Sequence, residues 1–161
     1  MFHVVLHRPE IPPNTGNVIR LCANSGCELH LVAPLGFELD DARLRRAGLD
    51  YHEYADLEVH ADLQAYRARA PQRRLFAFTT RAVRRHDHVA WQPGDALLFG
   101  SESSGLPADV LASIPEAHQV RLPMRPDMRS INLSNAVAIA VYEAWRQQDF
   151  AGAGQQGPAA R

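Results

Sequence analysis

Four residues of the kind that cap helices, Ser130, Asn132, Ser134 and Asn135, crowd the start of one helical segment. Just before them, Met124, Pro126 and Met128 alternate with Arg125, Asp127 and Arg129. A helix needs one N-cap, so the surplus hydroxyls and amides must hydrogen-bond something else. A second polar set lies near the amino terminus, where Asn14 is placed to cap a helix behind Pro12 and Pro13. Asn17, Arg20 and Asn24 follow at i, i+3 and i+7, which makes a stripe on that helix. Asparagines are poor helix formers, and three around one arginine suggest a polar site; the plain alternative is a solvated helix face. The third set is Glu102, a lone carboxylate among Ser101, Ser103 and Ser104, framed by Gly100 and Gly105. Its plain alternative is a tight turn before a Pro-started helix.

Familiar catalytic patterns are missing from these sets. Four residues separate Gly100 from Gly105, one too many for a G-x-S-x-G nucleophile elbow, and Leu106 and Pro107 replace the Lys and Ser/Thr of a P-loop. The only G-x-G is Gly152 to Gly154, so ordinary dinucleotide binding is disfavoured. His86 and His88 have no third ligand at helical spacing, and Cys22 and Cys27 lack a second pair. We therefore expect a surface loop at the histidines, buried reduced thiols and no metal.

The elements that carry the three sets alternate between strand and helix. "FHVVLH", "ELHLVAP", "RLFAFTT", "DALLFGSE" and "AHQVRLPM" read as strands, and "DYHEYA" as a weak one. The helical pattern of Val18, Leu21, Cys22 and Ser25 stops at Gly26. "DDARLRRAG", "ADLQAYRARA" and "LPADVLASIP" make shorter helices, and a long one runs over 132–147. In the long helix Val137, Val141, Ala144 and Trp145 form one face while Ala136, Ile139 and Ala140 cover others. That predicts an enclosed helix, in the core, at a subunit interface or in both. Alternation of this kind predicts an α/β domain with a mostly parallel sheet and helices on both faces. Ligands in such sheets sit beyond the carboxyl ends of strands, where all three polar sets fall.

The chain has 161 residues, enough for a single core; we expect one domain over 1–148 and a disordered tail over 149–161. Hydrophobic residues make up 46 % and charged residues 22 %, and no apolar run reaches membrane-spanning length. No secretory pattern opens the sequence, so the cytoplasm is the expected compartment. A net charge of −1 does not announce a polyanionic partner, yet "RLRR", with Arg43, Arg45 and Arg46, offers a local basic patch.

Together, "NTGNVIR", "LLFGSESSGLP" and "LPMRPDMRSINLSNAVAIAVYEAWRQ" resemble the three motifs of the SPOUT-class RNA 2′-O-ribose methyltransferases. With "PEIPPNTGNVIRLCANSGCELHLVAPLGF" and "RRAGLDYHEY", and with no added RNA-binding domain, the chain most resembles the TrmL (YibK-like) group, over roughly residues 1 to 148. The resemblance implies a homodimer with a carboxyl-terminal trefoil knot, which contradicts the general rule against threaded chains. It implies S-adenosylmethionine as methyl donor and, as acceptor, the ribose 2′-OH of wobble nucleotide 34, a cytidine or modified uridine. The substrate would be tRNA engaged at its anticodon stem-loop, with leucine isoacceptors expected. Carried over by position, the cofactor residues are Phe78, Thr79, Gly100, Glu102, Leu122, Met124, Ser130 and Leu133. The catalytic positions are Asn14, Arg20, Ser130 and Asn132, and RNA contacts fall to Arg43, Arg45, Arg46, Arg129 and Tyr142. Ser104 departs from relatives that carry Arg there, which shifts phosphate contact toward the other arginines. Another methylated nucleotide in tRNA or rRNA, a non-catalytic RNA-binding dimer and a small-molecule enzyme remain the alternatives.

Overall fold

The computed structural model describes residues 1–39 and 57–154. All five residues of β1 (His3–His7) are buried, as expected for a central strand covered on both faces. It pairs in parallel with β2 (Glu28–Val32) on one side and β5 (Ala96–Phe99) on the other. Outside these lie β3 (Leu57–His60), next to β2, and β4 (Leu75–Phe78), next to β5. The two-residue β6 (Gln119–Val120) pairs with β4, giving the all-parallel order β3-β2-β1-β5-β4-β6.

Helices cover both faces, as the alternation predicts. On one face, α1 (Pro12–Ser25) and α4 (Leu133–Arg146) pack over Val4, Leu6, Leu29, Leu31, Leu97 and Phe99. On the other, α2 (Leu63–Arg69) and α3 (Ala108–Ala112) pack over Val5, Val32, Ala77, Ala96 and Leu98. Each fully buried aliphatic side chain of these layers contributes about 1.5–3 kcal/mol. Cys22 and Cys27 are buried free thiols within the first layer.

α1 starts two residues before its expected cap. Pro12 and Pro13 occupy its first positions, where a missing N–H costs nothing, and Ile11 is an N-cap with no side-chain bond. Asn14 therefore lies inside the first turn, with its side chain released for other partners. The helix ends as predicted at Gly26, whose φ of 68° and N–H to Cys22 make a left-handed C-cap. α4 is capped by Asn132, whose side-chain oxygen accepts from the N–H groups of Ser134 and Asn135.

Three expectations need correction. β3 comes from "LEVH", where no strand is expected from the sequence; Val59 is 48 % exposed on it, and four residues with one outward apolar side chain give a faint period-two signal. The strand expected over 117–124 shrinks to two residues, because a 3-10 turn (Glu116–His118) precedes it and Pro123 cannot donate to a ladder. His86 is buried, at 6 % exposure, in a 3-10 turn where its carbonyl accepts from the Trp91 indole; only His88 lies at the surface. The helix and weak strand expected over "DDARLRRAG" and "DYHEYA" lie outside the described residues, as do Arg43, Arg45 and Arg46.

The enclosure predicted for α4 holds on one side only. Val137, Ala140, Val141 and Ala144 are fully buried, and the alanines let α1 come close. Ile139 and Tyr142, one turn apart, are 44 % and 47 % exposed. Beyond the helix, Phe150 packs edge-on against Trp145, whose indole N–H donates to the carbonyl of Ala151. No described helix is long and apolar enough to cross a membrane.

Candidate functional site

The carboxyl ends of β4, β5 and β6 and the start of α1 surround a cavity of about 510 Å³. Phe78, the last residue of β4, forms part of its floor. Its ring stacks on Phe99 at 4.5 Å and lies parallel to Trp91 at 6.2 Å, so it is held by packing on both sides. Thr79 follows, with its N–H on the carbonyl of Val120 and its hydroxyl accepting from the N–H of Arg81. That bond turns the chain sharply and sends residues 79–81 along the cavity wall.

The loop after β5 supplies the opposite wall. Gly100 is buried, and a Cβ there would lie 2.0 Å from the carbonyl carbon of Gly105. Only glycine fits, and the close approach is made by the loop's own backbone. Ser101 and Gly105 bridge antiparallel, Gly105 takes a φ of 68°, and the hydroxyls of Ser101 and Ser104 are 2.8 Å apart. The plain reading of a tight turn is thus correct, and the turn also lines the cavity.

Glu102 joins this loop to the one after β1. Its carboxylate accepts from the N–H of Glu10 (2.8 Å) and of Ile11 (3.1 Å) and from the Asn14 side-chain amide (3.0 Å). In return, the Glu10 carboxylate accepts from the N–H and hydroxyl of Ser103. Asn14 in turn accepts from the side-chain amide of Asn132 at 3.0 Å. Ser134 donates both its N–H and its hydroxyl to Asn132 Oδ1. Two of the four cap-type residues, Asn132 and Ser134, are therefore spent on a chain that runs from Glu102 through Asn14 to the start of α4. Ser130 and Asn135 are exposed.

All eight expected cofactor residues line this one cavity: Phe78, Thr79, Gly100, Glu102, Leu122, Met124, Ser130 and Leu133. Asn14 and Asn132 join them, whereas Arg20, Arg129 and Tyr142 do not line it and are exposed. Lining residues outside the expected set include Thr80, Leu106 and Ile131, each next to an expected residue or motif glycine, and Arg81, Leu111 and Ala136, which no expected site position marks. Among the described residues, the lining mixes apolar and polar groups and contains no His, Cys or Lys. Such a surface suits holding and aligning bound partners better than covalent or acid–base work by its own side chains.

A parallel α/β domain with its cavity beyond the strand ends, walled by three polar loops far apart in sequence, defines an α/β ligand-binding class. Residues 1–142 match the SpoU rRNA Methylase family, and the chain belongs to it. A relative from Burkholderia ambifaria, a tRNA (cytidine(34)-2'-O)-methyltransferase, is 64 % identical over 155 residues, covering 94 % of this chain and 99 % of its own. The Escherichia coli protein of the same name is 54 % identical over 153 residues, covering 95 % and 98 %. A solved structure described as "Structural insights into the 2-OH methylation of C/U34 on tRNA" superposes with a TM-score of 0.85. It is 45 % identical and covers 93 % of this chain and 97 % of its own. The SpoU methyltransferase AviRb from Streptomyces viridochromogenes, solved with AdoMet, shares the fold at a TM-score of 0.74 and 22 % identity, covering 91 % and 57 %.

Proposed function

We propose that this chain transfers a methyl group from S-adenosylmethionine to the ribose 2′-OH of nucleotide 34 in tRNA. The observation that carries the reading is the meeting, around one cavity, of three loops far apart in sequence that each resemble a motif of these enzymes. The cavity fits the donor in size and lining: about 510 Å³ lies in the usual range for small-molecule sites. Leu122, Met124, Leu133 and Phe78 suit an adenine, and the Gly100 turn offers backbone groups to its polar edges. When bound, the donor supplies an electrophilic methyl on a sulfonium.

The chain's own residues align and stabilise. Arg20, exposed on α1, acts as a fixed cation that stabilises the developing alkoxide and grips the adjacent phosphate. It is not a base, since guanidinium stays protonated, so the hydroxyl proton passes to phosphate or water. Ser130, exposed and part of the cavity lining, is assigned to the ribose. Asn14 and Asn132 are already bonded to each other, so we assign them to positioning the loops around both ligands. Arg129, Tyr142 and the "RLRR" arginines, Arg43, Arg45 and Arg46, take the RNA side.

We further propose a homodimer across the open side of α4, where Ile139, Tyr142 and Phe150 leave apolar surface uncovered. The carboxyl-terminal part is proposed to be knotted; parallel bridging of Arg85 with Arg121, which brings the segments after β4 and β6 together, supports it. Leucine isoacceptors as substrates and a cytoplasmic location complete the proposal. Calorimetric titration with S-adenosylmethionine, then mapping of ribose methylation in tRNA from a deletion strain incubated with the protein, tests the function. Methyl groups at a nucleotide other than 34 would overturn the assignment.

A further inference from the structure

Three buried histidines stand in a row across three neighbouring strands, on the sheet face that α2 covers. His3 Nδ1 lies 3.2 Å from His30 Nε2, and His30 Nδ1 lies 3.1 Å from His60 Nε2. The Tyr66 ring of α2 packs against His30 at 4.9 Å and His60 at 5.2 Å. Interior sheet positions ordinarily hold Val, Ile or Leu, as Val5 and Val32 do on this face. Three adjacent imidazoles call for a chemical reason.

Two carboxylates converge on the row. Glu28 Oε2 is 3.3 Å from His3 Nδ1 and 3.8 Å from His30 Nε2. Glu58 Oε2 is 3.6 Å from both His30 Nδ1 and His60 Nε2. Neutral imidazoles can pass one proton between each neighbouring pair, which satisfies the histidines but leaves each carboxylate oxygen facing the same two nitrogens. Three electron-pair donors around one point suit a cation better than a single proton. In a tetrahedral site with metal–nitrogen bonds near 2.0–2.1 Å, ligand atoms lie about 3.3–3.4 Å apart. The first triad, at 3.2, 3.3 and 3.8 Å, is close to that spacing before any ion draws it in.

We propose that His3 Nδ1, His30 Nε2 and the Glu28 carboxylate hold one divalent transition-metal ion of the zinc class. His60 and Glu58 sit behind His30. Occupation falls to the first triad because Glu58 is also paired with Arg69, whereas the Glu28 side chain is 54 % exposed and leaves room for a water as fourth ligand. On the far side, the His30 Nδ1 proton would point to His60 and Glu58, the arrangement that fixes a ligand imidazole's tautomer and raises its basicity. Burial first, then the neighbouring His3 and His60, lowers the His30 pKa to about 3, so its ring is neutral and ready to ligate at physiological pH. Arg69, Arg73 and the terminal amine oppose a cation here, and the two carboxylates offset them. The ion would clip β1 to β2 at the amino ends of both strands, away from the cavity, which no residue of either strand lines, and the site is independent of methyl transfer.

The test uses the full chain freed of any histidine tag and stripped with a chelator. Zn²⁺ is titrated by calorimetry, Co²⁺ by the visible absorption that tetrahedral coordination intensifies, and melting is followed with and without Zn²⁺. One ion per chain is expected. Loss of a ligand in His30→Gln or Glu28→Gln should weaken binding at least about 100-fold, and Glu58→Gln about 10-fold. His88→Ala, at an exposed histidine elsewhere, should bind like wild type. Glu28 is half-exposed, so Glu28→Gln reports even where a buried histidine variant fails to fold. Absence of saturable binding by wild type, or unchanged affinity and Zn²⁺-dependent melting in Glu28→Gln, overturns the proposal.

Discussion

Asn132 donates its side-chain amide to Asn14 Oδ1 at 3.0 Å, a bond that joins the start of α4 to the first turn of α1 across 118 positions of sequence. The same Asn132 caps α4 through its other side-chain atom. Asn132→Ala removes both roles and should cost about 1–2 kcal/mol, the usual cost of a lost N-cap with a partner left over. Asn132→Asp keeps the accepting oxygen and should melt close to wild type, yet it cannot donate to Asn14. We expect its methyl transfer to fall at least tenfold; wild-type turnover at wild-type stability would refute the positioning role.

Arg20→Lys keeps the positive charge but loses the planar fork that grips phosphate in two places. S-adenosylmethionine affinity should stay within about twofold in calorimetry, because Arg20 does not line the cavity. Turnover should drop by roughly 100-fold or more, the range for a lost oxyanion donor.

Two glycine replacements should move stability in opposite directions. Gly100→Ala forces a methyl onto the Gly105 backbone and should destabilise by about 2–4 kcal/mol or block folding. Gly16→Ala, inside α1 with nothing within 4 Å of the added methyl, should stabilise by about 0.5–1 kcal/mol. Denaturant melts of the two variants check both signs.

Acid should weaken the fold through the histidine row. Burial is the leading cause that lowers the pKa values of His3, His30 and His60, to about 3 for His30. The unfolded chain takes up these protons near pH 6.5 while the native state resists. Stability is therefore full above about pH 6.5 and declines as pH falls from there, by up to about 1.4 kcal/mol per pH unit for His30 down to about pH 3, with His3 and His60 adding in the same direction. Urea melts at pH 7.5, 6 and 5 should show the decline in wild type and a flatter profile in His30→Gln.

Ile139→Arg places a charge on the open side of α4 without touching the cavity lining. Sedimentation equilibrium should show a dimer for the wild-type chain and a monomer for this variant. A monomeric wild type would sink the proposed subunit contact.

The expected strand and helix order was legible where apolar periodicity was strong, as in β1, β2, β5, α1 and α4, and where Gly26 and Asn132 carry stop and start chemistry. The cofactor-side positions were legible because each falls in a short motif at a strand's end. What escaped has a physical cause in each case. Asn14 looks like a cap because cap residues and first-turn residues have the same types, and only the two prolines ahead of it place it inside the first turn. The His3–His30–His60 row was invisible because its members are 27 and 30 residues apart and meet only through the register of three parallel strands. The open side of α4 could not be separated from a buried one, since core and subunit contacts use the same apolar side chains.

The clasp between Glu102 and the loop after β1 bears on how two ligands communicate. Glu102 lines the cavity, while the amides it holds at Glu10, Ile11 and Asn14 open the helix that presents Arg20 outward. Neither wall can shift without straining the other. Whatever factor donor binding adds to the affinity for RNA, RNA must add to the affinity for donor, by thermodynamic reciprocity. Glu102→Gln, which weakens the clasp while keeping its shape, should therefore lower that mutual factor more than it lowers either affinity alone.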